Sequence, residues 1–440
     1  MTTYLLERAL LPDGVADDVV VEIEGGRFTR VTALSALPRG ESINGSTQLA
    51  GLTLPGLANT HSHAFHRALR GRTQTGRGTF WTWREQMYAV AERLDPDTYY
   101  ALARATYAEM VAAGYTSVGE FHYLHHQPDG TPYADPNAMG HALLAAARDT
   151  GIRITLLDTL YLSSGFGAAP EGVQRRFTDG TAEAWQARVA DLRGDDHAVI
   201  GVAAHSVRAV PAVALSALRP HAEAGCPVHV HLSEQVKEND DCLAAYGVTP
   251  TRLLADHGLL GPTTSAVHAT HLTSDDIRLL GESRTCASFC PTTERDLGDG
   301  IGPSRALLEA GAPLTLGSDS HAVIDAFEEM RALEMDERLA QQARGHWSAR
   351  ELLDAAGAVG QRSLGFADAG AIAVGQRADL VTLDTTSART AGTGADAHTA
   401  VFAASSADVR HVVADGRVVF EGDHGAVGRA LAAATERIWS

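Results

Sequence analysis

Between residues 55 and 365, short apolar runs alternate with longer Ala- and Leu-rich segments of helical spacing. A run buried on both faces, then a helix, then another such run is the pattern of parallel strands joined by helical crossovers. The runs end near His63, His122, Leu160, His205, Glu234, His268, Cys290 and Asp319, which makes eight. Segments 101–113, 182–192, 212–224, 249–257, 274–281, 304–310 and 326–340 have the spacing of intervening helices. Eight such units over roughly 310 residues predict an α/β fold, a (β/α)8 barrel with insertions, rather than an open doubly wound sheet.

The ends of the chain have a different texture. Asp17-Asp-Val-Val-Val-Glu-Ile-Glu alternates in part, and Gly25-Gly26 supplies a turn before Arg27-Phe-Thr-Arg-Val. Similar short strands return in Ala378-Asp-Leu-Val-Thr-Leu-Asp and in Val409 to Phe420. We expect a second, small β-sandwich-like domain formed from both termini, residues 1–54 and 366–425, around a catalytic barrel at 55–365. The stretch 385–398, rich in Thr, Ala and Gly, reads as a loop within it, and 426–440 as a final helix.

Composition narrows the function. With 45% hydrophobic and 20% charged residues the chain is globular rather than disordered. Thirty-six basic against 54 acidic residues give a net charge of −18. So acidic a chain is ill suited to phosphate neutralisation, so we expect neither nucleic acid nor an anionic membrane surface as partner. No basic region followed by an apolar run opens the sequence, and no apolar stretch reaches the ~18 residues of a membrane span. A cytoplasmic protein is expected. Cys226, Cys242, Cys286 and Cys290 form no CxxC pair, which argues against disulfides or a thiolate zinc site.

Twenty histidines point elsewhere. In a barrel of this kind the active site lies at the C-terminal ends of the strands. The first run ends in His61-Ser-His63, and residues two apart on an extended chain point to the same side, so both imidazoles can reach one ion. The fifth ends Val228-His-Val-His-Leu-Ser-Glu234 and offers His231 as third ligand. His229 shares its parity one layer deeper and reads as a hydrogen-bonded barrel histidine. Glu234, just past the strand, stands where a proton shuttle is needed. The sixth ends at His268, which should face the site, with His271 behind it as a structural residue. The eighth runs into Asp319-Ser-His321, where Asp319 can ligate through one oxygen and take a proton with the other; His321 reads as accessory. Zinc leads because imidazoles with one carboxylate suit a borderline ion, although iron and manganese accept the same ligands. Such a metal lowers the pKa of a bound water from ~15.7 towards ~7.

The ordered set His61-x-His63, His231-x-x-Glu234, His268 and Asp319 resembles the amidohydrolase superfamily, in its mononuclear deaminase branch. The sole lysine, Lys237, lies beyond Glu234 and offers no carbamylated bridge between two metals. Within that branch the chain is similar over essentially its full length to the formimidoylglutamate deiminase family. The likeness rests on His61-Ser-His-Ala-Phe-His-Arg-Ala-Leu-Arg-Gly, Phe80-Trp-Thr-Trp-Arg-Glu, Gly119-Glu-Phe-His-Tyr-Leu-His-His, His205-Ser-Val-Arg-Ala-Val and Val267-His-Ala-Thr-His-Leu-Thr. It continues through Cys290-Pro-Thr-Thr-Glu-Arg-Asp-Leu-Gly-Asp-Gly and Gly317-Ser-Asp-Ser-His. It implies one divalent metal per subunit, a homodimer, and hydrolysis of N-formimidoyl-L-glutamate to the N-formyl compound and ammonia by metal-activated water. Asp319 would take the water's proton, His268 would orient the attacking oxygen and Glu234 would protonate the leaving nitrogen.

That dicarboxylate substrate needs a local cationic patch against the −18 background. Arg208, three residues after His205, is the candidate bidentate clamp, and Arg84 can bind the other carboxylate from a lid. The resemblance adds hydrogen bonds from His205 and Tyr123. His66 is a further candidate substrate contact, although the family often has glutamine there and the amide contact does not carry over to an imidazole. Arg295 and Asp296 are either further contacts or a structural pair. A deaminase of an aromatic ring, such as guanine, cytosine or a triazine, would use the same metal residues without an arginine-rich mouth. A barrel that had become purely structural would have lost its ligands.

Overall fold

A computed structural model describes residues 1–38, 43, 45–74, 78 and 80–440. Both expected domain ranges include positions outside that set. The chain opens with β1 (Thr2–Leu11), β2 (Gly14–Glu24), β3 (Arg27–Ala33) and β4 (Thr47–Pro55). It then runs through β5 (Leu57–Ser62), β6 (Tyr115–His122), β7 (Arg153–Leu160) and β8 (Ala198–Ser206). The series β9 (Val228–Leu232), β10 (Thr264–His268), β11 (Cys286–Phe289) and β12 (Leu314–Leu316) follows. It finishes with β13 (Leu380–Leu383), β14 (Val409–Ala414) and β15 (Arg417–Phe420).

Strands β5 to β12 form an eight-stranded sheet in sequential order, parallel throughout. A bridge between Ser62 and Asp319 brings its first and last strands together, which makes it a (β/α)8 barrel. The strands are buried on both faces: every residue of β6, β7, β9 and β10 is buried. That is why they read as apolar runs without alternation.

The remaining strands make a seven-stranded sheet in the order β15-β14-β13-β4-β1-β2-β3, with β4 and β13 side by side although they are far apart in sequence. Its alternation sorts the two faces. Tyr4, Leu6, Val19, Val21, Leu49 and Leu380 form a core of their own, while Leu52, Leu54, Val381, Leu383 and Val412 join the main core shared with the barrel. A buried guanidinium fastens the two units: Arg153 on β7 bonds both carboxylate oxygens of Asp379 and lies 3.1 Å from Asp415.

The helices differ from expectation at their ends. The first crossover helix is Pro96–Ala112, beginning five residues before 101 because Asp95 caps it and Pro96 takes the first helical position. The expected 212–224 helix is broken into Ala212–Leu215, a tight turn at Ser216–Leu218 and Arg219–Glu223. Pro220 lacks the N–H a continuous helix would use and crowds the carbonyl a turn earlier. Within the C-terminal loop, Ala397–Phe402 is helical, and the last helix spans His424–Trp439. Among the described residues no helix is long and apolar enough to cross a membrane.

Candidate active site

The ends of β5, β9 and β12 deliver four side chains to one point. His61, His63, His231 and Asp319 each offer a ligand atom, all within 4.8 Å of one another. His61 Nε2 lies 3.1 Å from His231 Nε2 and 3.3 Å from Asp319 Oδ1, and His63 Nε2 is 3.2 Å from the same oxygen. Donors bound at ~2.0–2.1 Å around a tetrahedral ion stand ~3.3 Å apart, so these separations would suit a shared metal. His63 Nδ1 donates to the Phe121 carbonyl at 2.9 Å, leaving the Nε2 lone pair turned inward. His231 stacks on the Phe121 ring at 4.3 Å. Burial pushes His61 down to about 4 and His231 well below its ordinary value, so both stay neutral donors. Burial alone would raise Asp319, but the imidazoles of His61 and His63 beside it hold it well below the usual carboxylate range. Neutral imidazoles and one ionised carboxylate fit a divalent cation.

Beside this group stand Glu234 and His268. Glu234 Oε1 is 4.0 Å from His268 Nε2, and Glu294 Oε1 is 3.4 Å from His268 Nδ1. Burial alone would lower His268, but the charge of Glu234 and the hydrogen bond to Glu294 push it up to about 10. Burial raises Glu234, against the pull of His268 and Arg208. Burial and the nearby Glu234 charge push Asp299 up to about 9. His271 turns away and bonds the Asp299 carbonyl at 2.8 Å, as a structural residue does. His321 is not a ligand either; it bonds Ser62 and Ser318. One expectation is corrected. His229 is fully buried, but neither ring nitrogen has a hydrogen-bond partner, and burial lowers it to about 3.

A cavity of about 50 Å³ opens beside the four-residue group onto His63, His231 and Asp319, walled by His66, Trp83, Arg84, Tyr123, His205 and Arg208 among others. Arg208 Nε donates to Glu238 at 2.9 Å, while its terminal Nη2 is 3.8 Å from Glu234. Arg84 extends from the helix Phe80–Arg93 over the rings of Trp81 and Tyr88. His205 packs edge-on against Tyr123 and Tyr161, with its pKa lowered by burial and by the charges of Arg208 and Arg84. His66 Nε2 meets the Tyr123 hydroxyl at 3.0 Å, and its Nδ1 has no partner. Arg295 and Asp296 stay outside: Arg295 pairs with Asp336 and Glu328, and Asp296 accepts the Gln74 amide at 3.0 Å. Lys237 pairs with Asp241 on the surface.

Sequence reasoning overlooked Glu238, Glu294 and Asp299. Glu294 had a signal: one turn past the end of β11 at the start of a helix, its carboxylate reaches back to the Cys290 N–H and to His268. Glu238 had one too, since a buried arginine such as Arg208 requires a carboxylate, and Glu238 begins the helix after Glu234.

Comparison with known proteins agrees with this geometry. The model of the amidohydrolase family matches residues 52–419. The formimidoylglutamate deiminase of Pseudomonas aeruginosa is 39% identical, over 96% of each chain. A 5-methylthioadenosine/S-adenosylhomocysteine deaminase of Halobacterium salinarum is 29% identical over 91% of this chain and 88% of its own. The crystal structure of an amidohydrolase from Brucella melitensis superimposes with a TM-score of 0.90, at 33% identity, over the full length of both chains.

Proposed function

The chain belongs to the amidohydrolase family, and from that premise we propose that it hydrolyses N-formimidoyl-L-glutamate to N-formyl-L-glutamate and ammonia, a step of histidine degradation. The observation that carries the reading is the pair of arginines, Arg84 and Arg208, facing the cavity beside the metal-binding group. A substrate with two carboxylates pairs with both; a purine or triazine ring would leave them unmatched and desolvated. The 39% identity to a formimidoylglutamate deiminase supports the same choice over the ring deaminases.

We assign the metal to His61, His63, His231 and Asp319 and take it to be a single zinc ion per subunit. When bound, it supplies Lewis acidity that brings a water's pKa near neutrality. Asp319 holds an oxygen free of its ligating one to accept that water's proton. Protonated His268, held by Glu294, donates a hydrogen bond to the oxygen that adds to the formimidoyl carbon. Glu234, its pKa raised by burial, carries a proton to the imino nitrogen; the proton held by Asp319 then converts the resulting amine to an ammonium, and ammonia leaves as the hydroxyl returns a proton to Glu234 and the carbon–oxygen double bond forms. Arg208 and Arg84 hold the two carboxylates, with His205, Tyr123 and His66 lining the carbon chain. Phe80–Arg93, which carries Trp83 and Arg84 to the cavity, is the element we expect to move as substrate enters. The same reading includes a small domain at 1–54 and 366–425 against a catalytic barrel at 55–365, a homodimer and a cytoplasmic location.

Ammonia release from formimidoylglutamate, adenosine, guanine and a triazine, each with zinc-loaded protein, tests the proposal. Formimidoylglutamate should turn over fastest by orders of magnitude; faster turnover of any ring substrate would overturn it.

A further inference from the structure

Three of the four metal-binding side chains sit on the seam where the barrel closes. β5 and β12 do not form a regular ladder there. Ser62 bridges Asp319, the N–H groups of Ser318 and Asp319 both donate to the His61 carbonyl, and His63 N–H donates to the Asp319 carbonyl at 3.2 Å. Gly317 permits this approach, since a Cβ there would lie 2.7–2.8 Å from His61 atoms. Asp319 and His321 then take left-handed backbone conformations, with φ of +39° and +58°, which non-glycine residues adopt only when their surroundings fix them.

A chain of buried side chains does the fixing. The Asn59 amide donates to Ser318 Oγ at 2.7 Å, and Ser318 Oγ is 3.0 Å from His321 Nδ1. His321 Nε2 is 3.1 Å from Ser62 Oγ, and Ser62 donates to Glu120 Oε2 at 2.6 Å. The other Glu120 oxygen accepts the Ala64 N–H at 2.7 Å. With Glu120 ionised and His321 neutral, one arrangement of protons satisfies every link. Ser62 gives its proton to the carboxylate and so accepts from His321 Nε2–H; His321 Nδ1 accepts from Ser318, whose lone pair takes the Asn59 amide. All five residues are fully buried. Ser62 lies between two ligands in sequence, and Ser318 precedes a third.

We propose that Asn59, Ser318, His321, Ser62 and Glu120 form a positioning chain that closes the barrel and sets Asp319 against His61 and His63, with His321 as its centre. It touches neither metal nor substrate. It acts through the ligands, as hydrogen-bonded residues behind metal ligands do elsewhere. The inference rests on the metal site and is independent of the substrate reading.

Zinc affinity, measured on the zinc-loaded protein by competition with a chromogenic chelator, is the test, together with the visible spectrum of the cobalt-substituted form. Ser62→Ala and His321→Ala should each weaken zinc binding about 10- to 100-fold and shift the cobalt bands. The double variant should lose no more than the worse single, since either change opens the chain. Thr53→Val, which removes the buried hydroxyl pair with Thr382 in the terminal sheet, should lower thermal stability without changing zinc affinity. Should His321→Ala not fold, Ser62→Ala with Ser318→Ala repeats the test by removing one oxygen at each side of the imidazole. Affinities within twofold of the parent, or losses that simply multiply in the double variant, would overturn the proposal.

Discussion

Replacing Arg208 by methionine separates binding from folding. Its Nε is held by Glu238, which leaves the terminal nitrogens for a substrate carboxylate. A charge-assisted hydrogen bond contributes about 1.5–3 kcal/mol. Loss of a two-bond clamp should therefore cost about 3–6 kcal/mol, or about a 10²- to 10⁴-fold rise in KM. The substitution also strands Glu238, whose side chain is fully buried. It also accepts the Ser233 N–H at 3.1 Å. Breaking such a pair destabilises by about 3–5 kcal/mol. Adding Glu238→Gln removes the stranded charge and should recover most of that stability while KM stays high. Steady-state ammonia release with formimidoylglutamate and a urea titration of each variant read the two effects separately. An unchanged KM in Arg208→Met, or a KM restored in the double variant, would refute the clamp.

Three further outcomes follow from the geometry. Glu234→Gln should keep its zinc by elemental analysis and lose turnover by about 10²- to 10⁴-fold; loss of the metal would make Glu234 a ligand instead. His268 is raised to about 10 from the usual 6.5, so its charge stabilises the folded state fully below about pH 6.5 and progressively less as pH climbs towards 10. In metal-free protein the stability gap between parent and His268→Asn should shrink across that window, and a gap that widened would contradict the assignment. Arg153→Met should destabilise by about 3–5 kcal/mol by stranding Asp379 beneath the barrel, yet leave kcat per folded molecule unchanged, since that contact is among the links between β7 and the terminal sheet.

What was legible from the amino acids alone is what local spacing dictates. Eight apolar runs require eight strands buried on both faces, and a polar residue where each run stops must emerge at one rim. That places His61, His63, His231, His268 and Asp319 without knowledge of any contact. The pairing of β4 with β13, and the choice of Glu238 for Arg208 and Glu294 for His268, could not be read this way. Each joins residues whose neighbours in sequence carry no periodic trace of the partner. His229 shows the limit most plainly: its parity matches that of His231, yet one layer deeper neither ring nitrogen finds a hydrogen-bond partner. Periodicity is a property of the backbone and survives in the sequence, whereas the partner of a buried charge depends on which side chain the closed barrel brings within ~3 Å, and only the folded chain determines that.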